Sequence, residues 1–210
     1  MNQEGGTPLI VDTSVPFDEY VASLSKSARK NYKYVQKHNA DLKYTAVPFH
    51  KPDVERFMQV WGEQRIHGNE RVVWAFDICH VQQLDREGVL RVFQASKDGE
   101  ILAMHFVEQY EGYVECHPPM YDKRHNDRYL AKYMWFSLIR YASENGWGFL
   151  DLGSGDRGTW RELVRDRKQY PRIGYKWAYI PQHVKDNPEN EKDYLVFNEY
   201  GIKRIREVNK

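Results

Sequence analysis

The stretch VLRVFQASKDGEILAMHFVEQYEGYVECHPPMYDKRHNDRYLAKYMWFSLIRYASENGWGFLDLGS, residues 89–154, decides the fold. It opens with three β-type runs: VLRVFQAS (89–96), EILAMHFVEQY (100–110) and YVECHPPMY (113–121). Asp98-Gly99 and Glu111-Gly112 separate them. Such pairs permit the positive φ angles of tight hairpin turns, so three antiparallel strands in a meander are expected. The period then changes. In DRYLAKYMWFSLIRYASENG (127–146), Leu130, Met134, Leu138, Ile139 and Ala142 recur at helical spacing, with Gly146 as the stop. GFLDLGS (148–154) reads as a short buried strand.

Ahead of this block, residues 1–15 read as a loose arm. From Pro16, FDEYVASLSKSARKNYKYVQKHN reads as one helix, with Tyr20, Val21, Leu24, Ala28, Tyr32 and Val35 on its apolar side. Lys26, Arg29, Lys30, Lys33 and Lys37 make its other face basic. LKYTAVPF (42–49) reads as a strand. A helix follows from Pro52 to about Ile66, with Val54, Phe57, Met58 and Trp61 inward, and a second from Ala75 to Arg86. After residue 154 the reading is a helix over 159–168, strands over 172–180 and 193–200, and a basic tail over 201–210. The divisions are thus an arm (1–15), a basic helix (16–40), a main domain (41–200) and a tail.

The 210 residues suffice for a core without staples. Lys+Arg 31 against Asp+Glu 30 leaves a net charge of +1, which argues against a broadly basic nucleic-acid binder. Cys79 and Cys116 form neither a disulfide framework nor a zinc spacing, and no metal is expected. No apolar run nears the ~18 residues of a membrane span, and no secretory signal is visible, so a cytoplasmic protein without membrane contact is expected. Aromatic residues are 14 %, enough to line a cleft as well as a core.

The expected order after the first helix is β-α-α-β-β-β-α-β-α-β-β, an α/β (α+β) arrangement. That order over residues 42–200 resembles the GNAT acyltransferase fold: a mixed sheet of about six to seven strands with flanking helices, here preceded by an extra basic helix. Two stretches resemble the FemAB-like and CelD-like branch. One is the basic helix SLSKSARKNYKYVQKH (23–38). The other is GWGFLDLGSGDRGTWRELV (146–164), with Asp151, Gly153, Gly155, Asp156, Trp160 and Arg161 at the strand end and helix start. The resemblance implies acyl transfer to a primary amine. The donor it implies is acyl-CoA, acetyl-CoA foremost, or aminoacyl-tRNA. It places the donor's phosphates at the turn before helix 127–146, where Lys123, Arg124, Asn126 and Arg128 stand. The family's glycines are replaced there by Asp127 and Tyr129, so side chains would have to do part of that work.

Acyl transfer to an amine needs a base, donors for a developing oxyanion and an acid for the leaving group. On strand 113–121, Glu115 and His117 alternate with Val114 and Cys116 and so share one face, as a candidate acid–base pair. The plainer reading is two side chains that simply hydrogen-bond. The resemblance implies that backbone N–H groups near residues 115–117 are the oxyanion donors. Pro118-Pro119 removes two N–H groups, so the strand must pull away from a neighbour there. Asp151 inside FLDLG needs partners if buried. Asp156 reads first as a helix cap, and the resemblance makes it, with Asp151, a candidate for the acceptor's proton. His105, Tyr121, Trp160 and Arg161 are candidates for substrate contact, with packing as the ordinary alternative. Two further readings stand beside acyl transfer to a small amine. One is a nucleic-acid-modifying enzyme that uses the basic helix; the other is a GNAT-like binding module without catalysis.

Overall fold

The computed structural model describes residues 8–64, 78–110, 113–154 and 163. The element order is β1 (Pro8–Asp12), α1 (Phe17–Ser23), α2 (Lys26–His38), β2 (Lys43–Val47), α3 (Lys51–Gln64), α4 (Ile78–Arg86), β3 (Leu90–Lys97), β4 (Glu100–Tyr110), β5 (Tyr113–Cys116), β6 (Met120–Tyr121), α5 (Leu130–Glu144) and β7 (Phe149–Ser154). A 3-10 turn over Lys123–Arg128 precedes α5. The expected elements beyond residue 154 lie outside the described residues.

The meander forms as the turn chemistry requires. Asp98 and Gly99 both take positive φ, 50° and 83°, which joins β3 to β4 in a tight hairpin. β3, β4 and β5 pair antiparallel. β5 then pairs parallel with β7, with α5 as the crossover. The sheet runs β1-β7-β5-β4-β3-β2, with β6 pairing β4. These are seven strands in a mixed sheet with helices on both faces, the α/β architecture the sequence implies.

β3 and β4 alternate between two cores. Phe93, Ala95, Ala103, Val107, Val114, Cys116, Leu150 and Leu152 face α1, α2 and α5. Val92, Met104, Phe106 and Met120 face α3 and α4 through Val54, Phe57, Val81 and Leu84. α5 is the most deeply packed helix: Met134, Trp135, Phe136, Leu138, Ile139 and Ala142 are all buried. Full burial of each large apolar side chain contributes roughly 1.5–3 kcal/mol.

Three local expectations are corrected. Residues 8–12 of the expected arm form β1, which closes the sheet antiparallel to β7. The expected single N-terminal helix is two. Ser25 breaks it by accepting the Ala28 N–H (3.1 Å), while Leu24 leaves helical geometry at ψ 160°. Strand 113–121 is interrupted at Pro118-Pro119. Between the pairs Val107↔Cys116 and Met104↔Met120, β4 spends two residues and its partner three, a bulge of one residue.

Candidate functional site

Alternation puts Glu108 and Tyr110 of β4, Glu115 and His117 at the end of β5, and Asp151 of β7 on the face opposite Val107, Val114, Cys116, Leu150 and Leu152. The register makes them neighbours. Glu108 pairs with Glu115, and Glu115 with Asp151. Three carboxyl groups therefore stand in a row across three adjacent strands.

The groups differ in their partners. The His117 ring Nε2 is 2.9 Å from Glu108 Oε1, with side chains only 12 % and 9 % exposed. The Tyr110 hydroxyl donates to Glu108 Oε2. Burial and that carboxylate push the Tyr110 phenol far above its ordinary range, so it remains a donor. Glu115, between two other acids, is pushed up from 4.5 to about 8, first by burial and then by Glu108 and Asp151. Asp151 is 3 % exposed. His117 thus pairs with Glu108, not with Glu115 as the strand pattern suggested. Glu108 is the residue that sequence reasoning missed. Its signal was its place on the same strand as Phe106 and Tyr110, but only the β4–β5 register reveals the meeting.

The row stands where strands part. The ladder between β5 and β7 ends at Glu115↔Asp151. Beyond it the chain after β5 stays with β4 as β6, while β7 follows β1 through Ser154↔Pro8. Pro118-Pro119 sits at this divergence. The His117 N–H donates to the Phe106 carbonyl (3.1 Å), so it is not an oxyanion donor, a correction to that expectation.

Two expected cleft residues lie on the other face. His105 shares the face of Ala103 and Val107 and packs edge-on against Trp135 of α5, with ring centroids 4.6 Å apart. It is fully buried, neither ring nitrogen has a close hydrogen-bond partner among the described residues, and burial lowers its pKa to about 3. Tyr121 would share the face of Glu115 in an unbroken strand. The one-residue bulge reverses the parity, and Tyr121 packs against the α5-side core.

The turn before α5 also differs from expectation. Arg124 binds the Asp122 carboxylate (Nε 2.7 Å, Nη2 2.5 Å). Arg128 makes a two-pronged pair with Asp41 (2.8 and 3.1 Å), which also receives Lys97 (2.9 Å). Both guanidiniums offered to donor phosphates thus have a carboxylate partner in the chain, Arg128 largely covered and Arg124 still 71 % exposed. Lys123 and Asn126 lie in the same turn. Tyr129 joins the turn to α5 at φ 53°, and the first bond inside α5 is Tyr133 N–H to the Tyr129 carbonyl (3.1 Å). The N–H groups of residues 130–132 therefore face out of the helix end, as at any helix start. Asp156, Trp160 and Arg161 lie outside the described residues. Among the described residues, no group of His, Cys, Asp and Glu is arranged to hold a metal ion, and no helix is long and apolar enough to cross a membrane.

A search of curated proteins returns no match. Among solved structures, the chain is similar to FemX, with a TM-score of 0.57 at 12 % identity over 76 % of this chain and 56 % of that one. It is also similar to the C-terminal domain of a protein named for lysylphosphatidylglycerol synthetase from Agrobacterium fabrum, with a TM-score of 0.52 at 16 % identity over 71 % of this chain and 46 % of that one. The chain therefore spans about half the length of these structures, and at such identities the likeness is one of fold. Residues 26–162 match the family described as Acetyltransferase (GNAT) domain, which covers α2 through the strand end that follows the carboxyl row; the chain belongs to this GNAT family.

Proposed function

We propose that the chain is an N-acyltransferase that moves an acyl group to a primary amine. The observation that carries this reading is the row Glu108–Glu115–Asp151 with His117, set where β5 and β7 part. An amine acceptor must lose a proton before it attacks, and a leaving thiol or hydroxyl must gain one. A site holding one carboxyl raised to about 8 beside an imidazole supplies groups for both tasks near neutral pH. His117 and Asp151 are assigned to the acceptor's proton and Glu115 to the proton the leaving atom gains, and Asp156 joins them by family resemblance. The donor is an acyl-CoA such as acetyl-CoA, or an aminoacyl-tRNA. Its phosphate end is assigned to the start of α5, with Lys123 and Asn126 nearby. Arg128 is held by Asp41, whereas Arg124 pairs with Asp122 yet keeps a side chain 71 % exposed, so it stays with Lys123 and Asn126 as a candidate for those phosphates.

Thermal melting with acetyl-CoA, longer acyl-CoAs and aminoacyl-tRNA, followed by mass detection of acylated amines, tests this. A ligand that binds only the folded state raises its melting temperature. No shift with any donor and no product would reject the transferase and favour a binding module.

A second reading, nucleic acid as a partner, is favoured by α2. Lys26, Lys30, Lys33 and Lys37 recur along its exposed side, and α2 contains no acidic residue. Arg29 leaves this set, since it binds the Ala22 and Leu24 carbonyls. At one flank, Tyr34 (45 % exposed) and Tyr129 (48 %) meet edge to face at 5.5 Å. Lysines and exposed rings together suit a single strand with unstacked bases. Four neutralised phosphates predict a salt slope of about −2.8, hence roughly 50-fold weaker binding for a fourfold rise in salt. Binding unchanged after replacing the four lysines by Gln would reject this partner.

A further inference from the structure

The site contains a residue pair whose arrangement goes beyond supplying acid and base. Glu108 has both carboxylate oxygens engaged, Oε1 by the His117 ring at 2.9 Å and Oε2 by the Tyr110 hydroxyl. It lies one strand from Glu115 in direct register. We propose that Glu108, clamped between Tyr110 and His117, is a positioning residue: it fixes His117 with its Nε2–H directed at the carboxylate and holds Glu115 as a carboxylic acid.

The reasoning is electrostatic. Two hydrogen-bond donors on Glu108 favour its charged form. Two adjacent carboxyl groups cannot both ionise cheaply in a buried place, and Glu115 has such a neighbour on each side. Among the described residues, Glu115 itself makes no hydrogen bond that would stabilise its anion. Among the described residues, the groups facing the pair are Tyr110, His117 and Asp151, with Glu87 acting on Tyr110 from beyond the end of α4. α3 and α4 contribute the apolar Val54, Phe57, Val81 and Leu84 to this face. Nothing described there offsets the negative charge at Glu115.

The division of labour follows, and it rests on the acyl-transfer reading. The amine nitrogen forms the new C–N bond and His117 takes its proton. The bond from the acyl carbon to the leaving sulfur or oxygen breaks, and the leaving atom takes the Glu115 proton. A proton passed from His117 to Glu115 restores both groups.

Glu108→Gln and Tyr110→Phe in the full chain test this. Imidazole nitrogen shifts report the His117 tautomer, and carbon-labelled glutamate reports the Glu115 titration. In Glu108→Gln the Nε2–H preference of His117 should be lost, because an amide offers both a donor and an acceptor. The Glu115 midpoint should fall by roughly a unit or more. Turnover should drop about 100-fold, with KM within about threefold, and its alkaline limb should move to lower pH. Tyr110→Phe should move tautomer and turnover the same way by less. Unchanged tautomer and unchanged Glu115 midpoint in both variants would overturn the clamp. So would measurable turnover whose rate and pH profile ignore Glu108→Gln. If no donor supports turnover while tautomer and midpoint respond as stated, the acyl-transfer reading fails and the clamp stands.

Discussion

Replacing Glu115 by Gln should stabilise the protein, and by an amount that grows with pH. In the folded chain Glu115 titrates near 8 against 4.5 for an unperturbed carboxyl. Between those values the folded state binds a proton that the unfolded state has released. Stability therefore falls as pH rises through this window, and levels off above it. Each pH unit inside the window costs about 1.4 kcal/mol. Going from about pH 5 to about pH 9, the wild-type chain should lose about 4 kcal/mol that Glu115→Gln does not lose. Gln keeps the shape and removes only the ionisation. Urea unfolding, followed by tryptophan fluorescence at matched ionic strength, measures both proteins across that range. Equal slopes of stability against pH would refute the argument, since the carboxyl would then titrate as it does in the unfolded chain. A Gln variant less stable at every pH would show that the Glu115 carboxyl is held by an interaction stronger than the neighbouring charges.

His105 acts with the opposite sign. It is neutral in the fold down to about 3, against 6.5 unperturbed, so stability should fall as pH drops across that window, and His105→Phe should flatten that acid limb in the same urea series. Ser25→Ala removes the cap on Ala28 and should cost about 1 kcal/mol of unfolding free energy, with no change in any pH dependence. Asn39→Ala deletes the amide that ties the Val35 carbonyl to that of Arg128 (2.8 Å each) and should cost roughly 1–3 kcal/mol, measured by urea midpoint.

The fold was largely legible because its signals are local. Asp98-Gly99 dictated a hairpin, the change of period at Leu130 dictated a crossover helix, and FLDLG dictated a buried strand. The break at Ser25 was readable in principle, since Ser is a favoured N-cap residue, although the basic residues after it lack the acidic first turn that strengthens such a signal. It was masked by an apolar pattern that continued through it. β1 was missed although Leu9-Ile10-Val11 is a short β-type run, because three apolar residues near a chain end do not reveal the partner, β7, that makes them a strand.

The site was legible by face but not by partner. Alternation alone placed Glu115 with His117. It could not say that Glu108 and Asp151 lie beside Glu115, because cross-strand register is set by turns and pairing far along the chain. It misplaced Tyr121 because one extra residue at Pro118-Pro119 inverts the alternation. It offered Arg124 and Arg128 to phosphates because the carboxylates that hold them, Asp122 and Asp41, meet them only in the folded chain. The sequence by itself determined the order of elements and the buried or exposed sense of each strand, since both follow from hydrophobic period and turn chemistry. The tertiary structure alone decided which charges meet, and hence which carboxyl holds its proton, because that depends on distance and burial across strands.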